Sequence, residues 1–128
     1  MRGDWVRNLP GDGGEDMSMG PIEMSLALLA GHALADYPLQ GDFLARGKNH
    51  LSPIPGIPWY QCLIWHSVIH GAFVAAITGS FILGVAEFVL HAMTDYAKCD
   101  GLIGFDADQI THAACKLIWV LLLFMVRG

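Results

Sequence analysis

From Leu117 to Val126 the chain reads LIWVLLLFMV, a run with no charged side chain. Wound into a helix, such a run is apolar on every side and has no face to turn toward water. A second run, AFVAAITGSFILGVA from Ala72 to Ala86, is also free of charge. One domain of 128 residues can hide one helix of this kind in a soluble core, but not three or four. Composition agrees: 54% of residues are hydrophobic and 15% charged, against about 25% charged in an ordinary soluble domain. The expected fold class is all-α, an integral membrane four-helix bundle with up-down-up-down topology.

The punctuation of the chain places four helices. The first starts at Pro21, a favourable first-turn residue, and runs to about Tyr37, where Pro38 stops it. A polar, proline-rich loop over about residues 41–58 (GDFLARGKNHLSPIPGIP) cannot span a bilayer. The second helix is expected from Trp59 to Thr78, with Gly79-Ser80 as a tight turn into the third, Phe81 to about Lys98. The loop CDGLIGF then leads to Asp106 as the expected N-cap of a fourth helix ending near Val126. Spans of this length are short but workable at 1.5 Å rise per residue. Gly71, Ala75 and Gly79 form a small-residue stripe on the second helix, of the sort that favours close packing in membranes. Residues 1–20 are polar and glycine-rich without an apolar signal-peptide core, and are expected to be a disordered tail preceding a four-helix domain over 21–128.

Each of these apolar helices carries two ligand-type residues four positions apart: His32 and Asp36, His66 and His70, His91 and Asp95, Asp108 and His112. Residues at this spacing lie on one helix face. In an up-down-up-down bundle the end of the first helix, the start of the second, the end of the third and the start of the fourth share one side. All eight side chains are therefore expected in one layer near one membrane face. Facing helices build metal sites in bundle cores, and ionisable residues inside spans are costly and usually functional. The competing expectation is a hydrogen-bonded polar layer that only fixes helix register.

Five positioned histidines and three carboxylates, with no placed thiolate, suit a divalent metal: zinc first, then iron or manganese. Cys62, Cys99 and Cys115 are odd in number and show no CxxC spacing, which excludes a disulfide framework or a thiolate zinc site. Eight donors exceed one tetrahedral site, so the layer has room for one ion with outer partners, or for two. Beyond the layer, Glu87 lies one turn before His91 and Lys116 one turn after His112. Because their helices run antiparallel, both fall one turn deeper at similar height, where a lone charge costs about 2.5–3.5 kcal/mol. An ion pair between them is expected, with Glu87 as an extra metal ligand the alternative.

Together these residues resemble a family of small bacterial and phage membrane proteins known only as a domain of unknown function. The shared pattern is His32–Asp36–Tyr37–Gln40, then His66–His70, His91–Asp95–Lys98 and Asp108–Gln109–His112, with Lys48 matching a recurrent lysine after the first motif. The resemblance spans roughly residues 22–126 and implies a polytopic protein of the bacterial inner membrane, with phage origin open. It implies no activity.

The chemistry of the layer leads to metal-dependent hydrolysis of a lipid or phosphoester at one membrane face. A metal ion lowers the pKa of coordinated water toward 7, and Asp36 or Asp95 is the expected general base. Lys48 and Lys98, on the same side, would either hold an anionic group or snorkel to the interface. The rivals are a non-catalytic membrane accessory protein with a structural metal, and transport of a metal ion or protons. Transport needs polar positions through the full depth, yet Phe73 to Leu83 is almost wholly apolar. Expected partners are membrane lipid and, as an open case, a second copy of the chain. Net charge of −5 argues against nucleic acid. Arg46, Lys48 and Lys98 against Arg2, Arg7 and Arg127 tip the positive-inside balance only slightly toward a cytoplasmic site.

Overall fold

The structure, a computed structural model, describes residues 18–128. The tail expected over residues 1–20 lies outside the described residues up to residue 17. The described residues form five helices and no strand: α1 (Pro21–Asp36), α2 (Gly41–Gly47), α3 (Trp59–Thr78), α4 (Phe81–Cys99) and α5 (Phe105–Arg127). The four long helices close a ring, with α1 and α4 each packed between α3 and α5, and the α3–α4 contact the most extensive.

Local chemistry accounts for the boundaries. Pro21 occupies the first turn of α1, where a missing N–H costs nothing. Gly79 ends α3 at φ +68°, a left-handed conformation that L side chains adopt only with strain. Ser80 then caps α4, its hydroxyl accepting from the Leu83 N–H at 3.3 Å. The two-residue link makes α3 and α4 antiparallel. Arg127, at the end of α5, donates to the Thr78 carbonyl at 3.1 Å, so α3 and α5 run the same way.

Three boundaries differ from expectation. Part of the proline-rich loop, residues 41–47, winds into α2, which packs on α3 and delivers Lys48 to the interior. Asp106 is not the N-cap of α5: Gly104 holds that position and Asp106 sits in the first turn, still well placed against the helix dipole. Only α3 and α5 are long and apolar enough to cross a membrane. The 16 residues of α1 reach about 24 Å at 1.5 Å each, and α4 carries Glu87, Asp95 and Lys98.

Polarity is distributed inside out. Met24, Leu28, Val74, Trp119 and Val120 form an apolar core in the half of the ring toward Ser80 and Arg127. In the other half the interior is charged: Lys48, Asp95, Asp108 and five of the six histidines are buried. The outer surface, by contrast, is lined by large apolar side chains such as Leu26, Trp65, Phe81, Val89, Ile118 and Leu121. Among the described residues, the charged side chains exposed on the long helices are Glu23, Asp106 and Arg127, all in terminal turns.

The α3–α4 seam depends on two glycines. A Cβ on Gly71 would stand 2.7 Å from the Gly84 carbonyl oxygen, and one on Gly84 would meet the Ala75 Cβ at 2.7 Å and the Gly71 oxygen at 2.8 Å. Because backbone rather than a flexible side chain is struck, Gly71→Val or Gly84→Val is expected to destabilise the fold by about 1–3 kcal/mol. Thermal unfolding in detergent micelles measures it. Gly104→Ala, where an added Cβ meets nothing within 4 Å, should leave the midpoint unchanged.

Candidate metal centre

The antiparallel ring brings all eight paired residues into one layer. His70 stacks on His91 at 3.6 Å between ring centroids, and His91 on His112 at 4.1 Å. His32 closes the circle, 5.1 Å from the His70 ring and 5.2 Å from that of His112.

Asp36 is a focus of this layer. Its Oδ1 lies 3.0 Å from His70 Nε2 and 3.4 Å from His66 Nε2, and its Oδ2 lies 3.3 Å from His32 Nε2. Gln109 donates its amide to the same Oδ2 at 3.1 Å. His66 Nε2 and His91 Nε2 face each other at 3.2 Å. One donor atom each from Asp36, His66, His70 and His91 falls within a mutual span of 4.8 Å. Zinc bonds of about 2.0–2.2 Å in a tetrahedron put neighbouring donors about 3.3–3.6 Å apart, close to the observed spacings. These four residues could hold a metal ion.

Two further groups share the same limit: Asp95, Asp108 and His112, and Glu87, His91 and His112. His112 Nε2 sits 3.2 Å from Asp108 Oδ1 and 3.5 Å from Asp95 Oδ1. Yet His112 Nε2 and Asp108 Oδ1 are both buried without a hydrogen bond. Buried polar atoms that converge but do not bond directly are unusual in a purely structural network.

The lysines are committed to carboxylates. Lys48 is buried and donates to Asp95 Oδ2 at 2.5 Å and to Gln40 Oε1 at 2.6 Å. Gln40 is itself tied to the Asp36 carbonyl at 3.1 Å. Lys98 donates to Asp108 Oδ2 at 3.0 Å and lies over the Phe105 ring. Lys48 is thus turned inward, whereas the Lys98 side chain remains 32% exposed. One turn deeper, Lys116 donates to Glu87 Oε1, as the antiparallel register requires. Trp119 Nε1 donates to the other oxygen, Oε2, at 2.6 Å, and His91 Nδ1 stands 3.4 Å from Oε1.

Two residues escaped the sequence reading. Trp119 lies three residues beyond Lys116 on one face of α5, a spacing that could have marked it. His50, in the loop after α2, pairs with Asp100 at 2.5 Å and stacks on Tyr96 at 4.0 Å, outside the layer. No local spacing pointed to that contact.

Fold and layer together define a helical-ring protein with a histidine–aspartate centre buried near one end. The chain belongs to the family described as Protein of unknown function (DUF3307), whose model matches residues 24–127. No curated protein and no solved structure matches the chain.

The Glu87–Lys116 contact carries its own test. Removing one member of a buried ion pair strands the other, at about 3–5 kcal/mol. Glu87→Gln and Lys116→Met should each cost stability of that order in denaturant unfolding. The double variant should cost less than either, because no charge is then left unpaired.

Proposed function

We propose that the protein is an integral membrane protein that binds a divalent metal, zinc first among the candidates, and uses it for hydrolysis of a lipid or phosphoester at one membrane face. The observation that carries the metal reading is the convergence of four donor atoms, from Asp36, His66, His70 and His91, within 4.8 Å of one another, with contacts of 3.0, 3.4 and 3.2 Å among them. His66 Nε2 and His91 Nε2 face each other at 3.2 Å, a spacing at which both lone pairs could meet one ion, or one ring could donate an N–H to the other in a purely structural layer.

Membrane embedding is supported by the inverted polarity of the ring. Apolar side chains face outward along all four long helices, and exposed charge is confined to terminal turns. In water this surface would be a large contiguous apolar patch, rare on soluble monomers. In lipid it is the expected solvent-facing surface, with α3 and α5 long enough to span and α1 and α4 accommodated by local thinning.

The ion would polarise the scissile ester and activate water. The protein's own groups have distinct tasks. Asp36, with its side chain 11% exposed, and the half-buried Gln40 and Gln109 form the edge through which a substrate group approaches. Asp95 stands 3.4 Å from His66 Nε2 and 3.6 Å from His91 Nε2, beside the donor set, and is the group placed to accept a proton. Lys48 donates to the same carboxylate and holds it in place. The apolar core beneath Glu87 and Lys116 favours this one-sided centre over a transport path, since among the described residues no buried charged side chain continues the layer through Met24, Leu28 and Val74.

Two outcomes test the reading. The protein should remain with the bilayer through alkaline carbonate extraction; release into the supernatant would remove the membrane assignment. Purified protein should contain metal by elemental analysis, and Asp95→Asn should abolish turnover of a responsive ester while the metal is retained. Absence of turnover across a broad panel of lipid and phosphate esters, with metal bound, would leave a non-catalytic metal centre.

A further inference from the structure

We propose that the layer contains two adjoining cation positions, and that the protein fills one with a divalent metal and the other with its own lysines. The metal sits on Asp36, His66, His70 and His91. Lys48 and Lys98 supply the positive charge of a second cation at the position formed by Asp95, Asp108 and His112. This rests on the metal-binding reading above and specifies which donors the ion takes and how many ions are held.

The pairing of charges carries the assignment. Of the four acidic groups, Asp95, Asp108 and Glu87 each accept from an ammonium group, those of Lys48, Lys98 and Lys116. Asp36 has no lysine. Its near neighbours are His32, His66, His70 and the Gln109 amide. Counting these carboxylates and ammonium groups alone, the cluster carries one net negative charge, centred on Asp36.

One divalent ion beside Asp36 leaves a single positive charge. A second would leave three, in an interior where unpaired charge is heavily penalised. The third candidate group is closed for a different reason. Both oxygens of Glu87 are already engaged, by Lys116 and Trp119.

The second position nevertheless keeps the geometry of a metal site. Lys48 and Lys98 bind the Oδ2 atoms of Asp95 and Asp108, while both Oδ1 atoms turn toward His112 Nε2 at 3.5 and 3.2 Å. His112 Nε2 and Asp108 Oδ1 are among the buried atoms left without a hydrogen bond, as are the Nδ1 atoms of His32, His66, His70 and His91. The donors of a second ion are in place, and the lysine charges make that ion unnecessary. Removing one lysine charge leaves this position with one net negative charge, as the Asp36 position has, and should therefore open it. Lys98 is the better choice, because its side chain is 32% exposed and Lys48 is buried.

The test is titration of the metal-free full chain in detergent with Co2+, followed by visible absorption and elemental analysis. The unaltered protein should take one equivalent. Asp36→Asn should lose it, whereas Asp108→Asn should keep it. Lys98→Met should take a second equivalent, and Lys98→Met/His112→Ala should return to one. Lys98→Gln gives the same comparison should the methionine variant aggregate. Two equivalents in the unaltered protein would overturn the proposal while leaving the metal reading intact. So would an ion that survives Asp36→Asn but is lost in Asp108→Asn, or a well-folded Lys98→Met and Lys98→Gln that both stay at one. Binding of no metal at all would remove both readings together.

Discussion

A charge withdrawn from water must find an opposite partner or a dense set of hydrogen bonds, and the organisation of this protein follows from that requirement. Three acidic side chains in the ring meet three lysines drawn from three places in the chain: the loop after α2, the end of α4 and the middle of α5. Asp36 alone is met by imidazoles and an amide. Each pair ties two elements that are distant in sequence. Lys48 and Asp95 clasp the connecting loop to α4, Lys98 and Asp108 join α4 to α5, and Lys116 and Glu87 repeat that join one turn deeper. The electrostatic requirement and the helix packing are thus one constraint.

The backbone makes this arrangement possible by keeping two helices close. Gly71 and Gly84 let α3 and α4 approach until backbone meets backbone, which brings His66 of α3 to 3.2 Å from His91 of α4. Such approaches are favoured in lipid, where association relies on packing rather than on expulsion of water. The left-handed Gly79 reverses the chain in two residues, so the register between α3 and α4 is set with little slack. A precise donor geometry on two helices needs that rigidity.

The centre is one-sided. Its partly exposed edge lies at Asp36, Gln40 and Gln109, while Trp119, Val74 and Leu28 seal the other direction. A metal held there would face that edge and not a passage through the ring. The apolar exterior and the charged interior are separated by the ring of helices, and the low dielectric inside strengthens each ion pair.

Much of this was legible in the residues. The uncharged runs around Leu117–Val126 and Ala72–Ala86 dictated helices without a polar face. The recurrence of ligand-type residues at four-residue spacing placed them on single faces, since a helix turns by about 100° per residue. Antiparallel alternation then aligned the four pairs in depth, and Glu87 with Lys116 beneath them. Sequence alone did not reveal α2, because a seven-residue helix has too little apolar periodicity to register. Nor did it reveal that Lys48 turns inward to Asp95, that Trp119 caps Glu87, or that His50 leaves the layer for Tyr96 and Asp100. Periodicity reports which residues share a face. Which atom meets which depends on the distance and rotation between helices, and only close packing of the α3–α4 seam and the ring around it decided those.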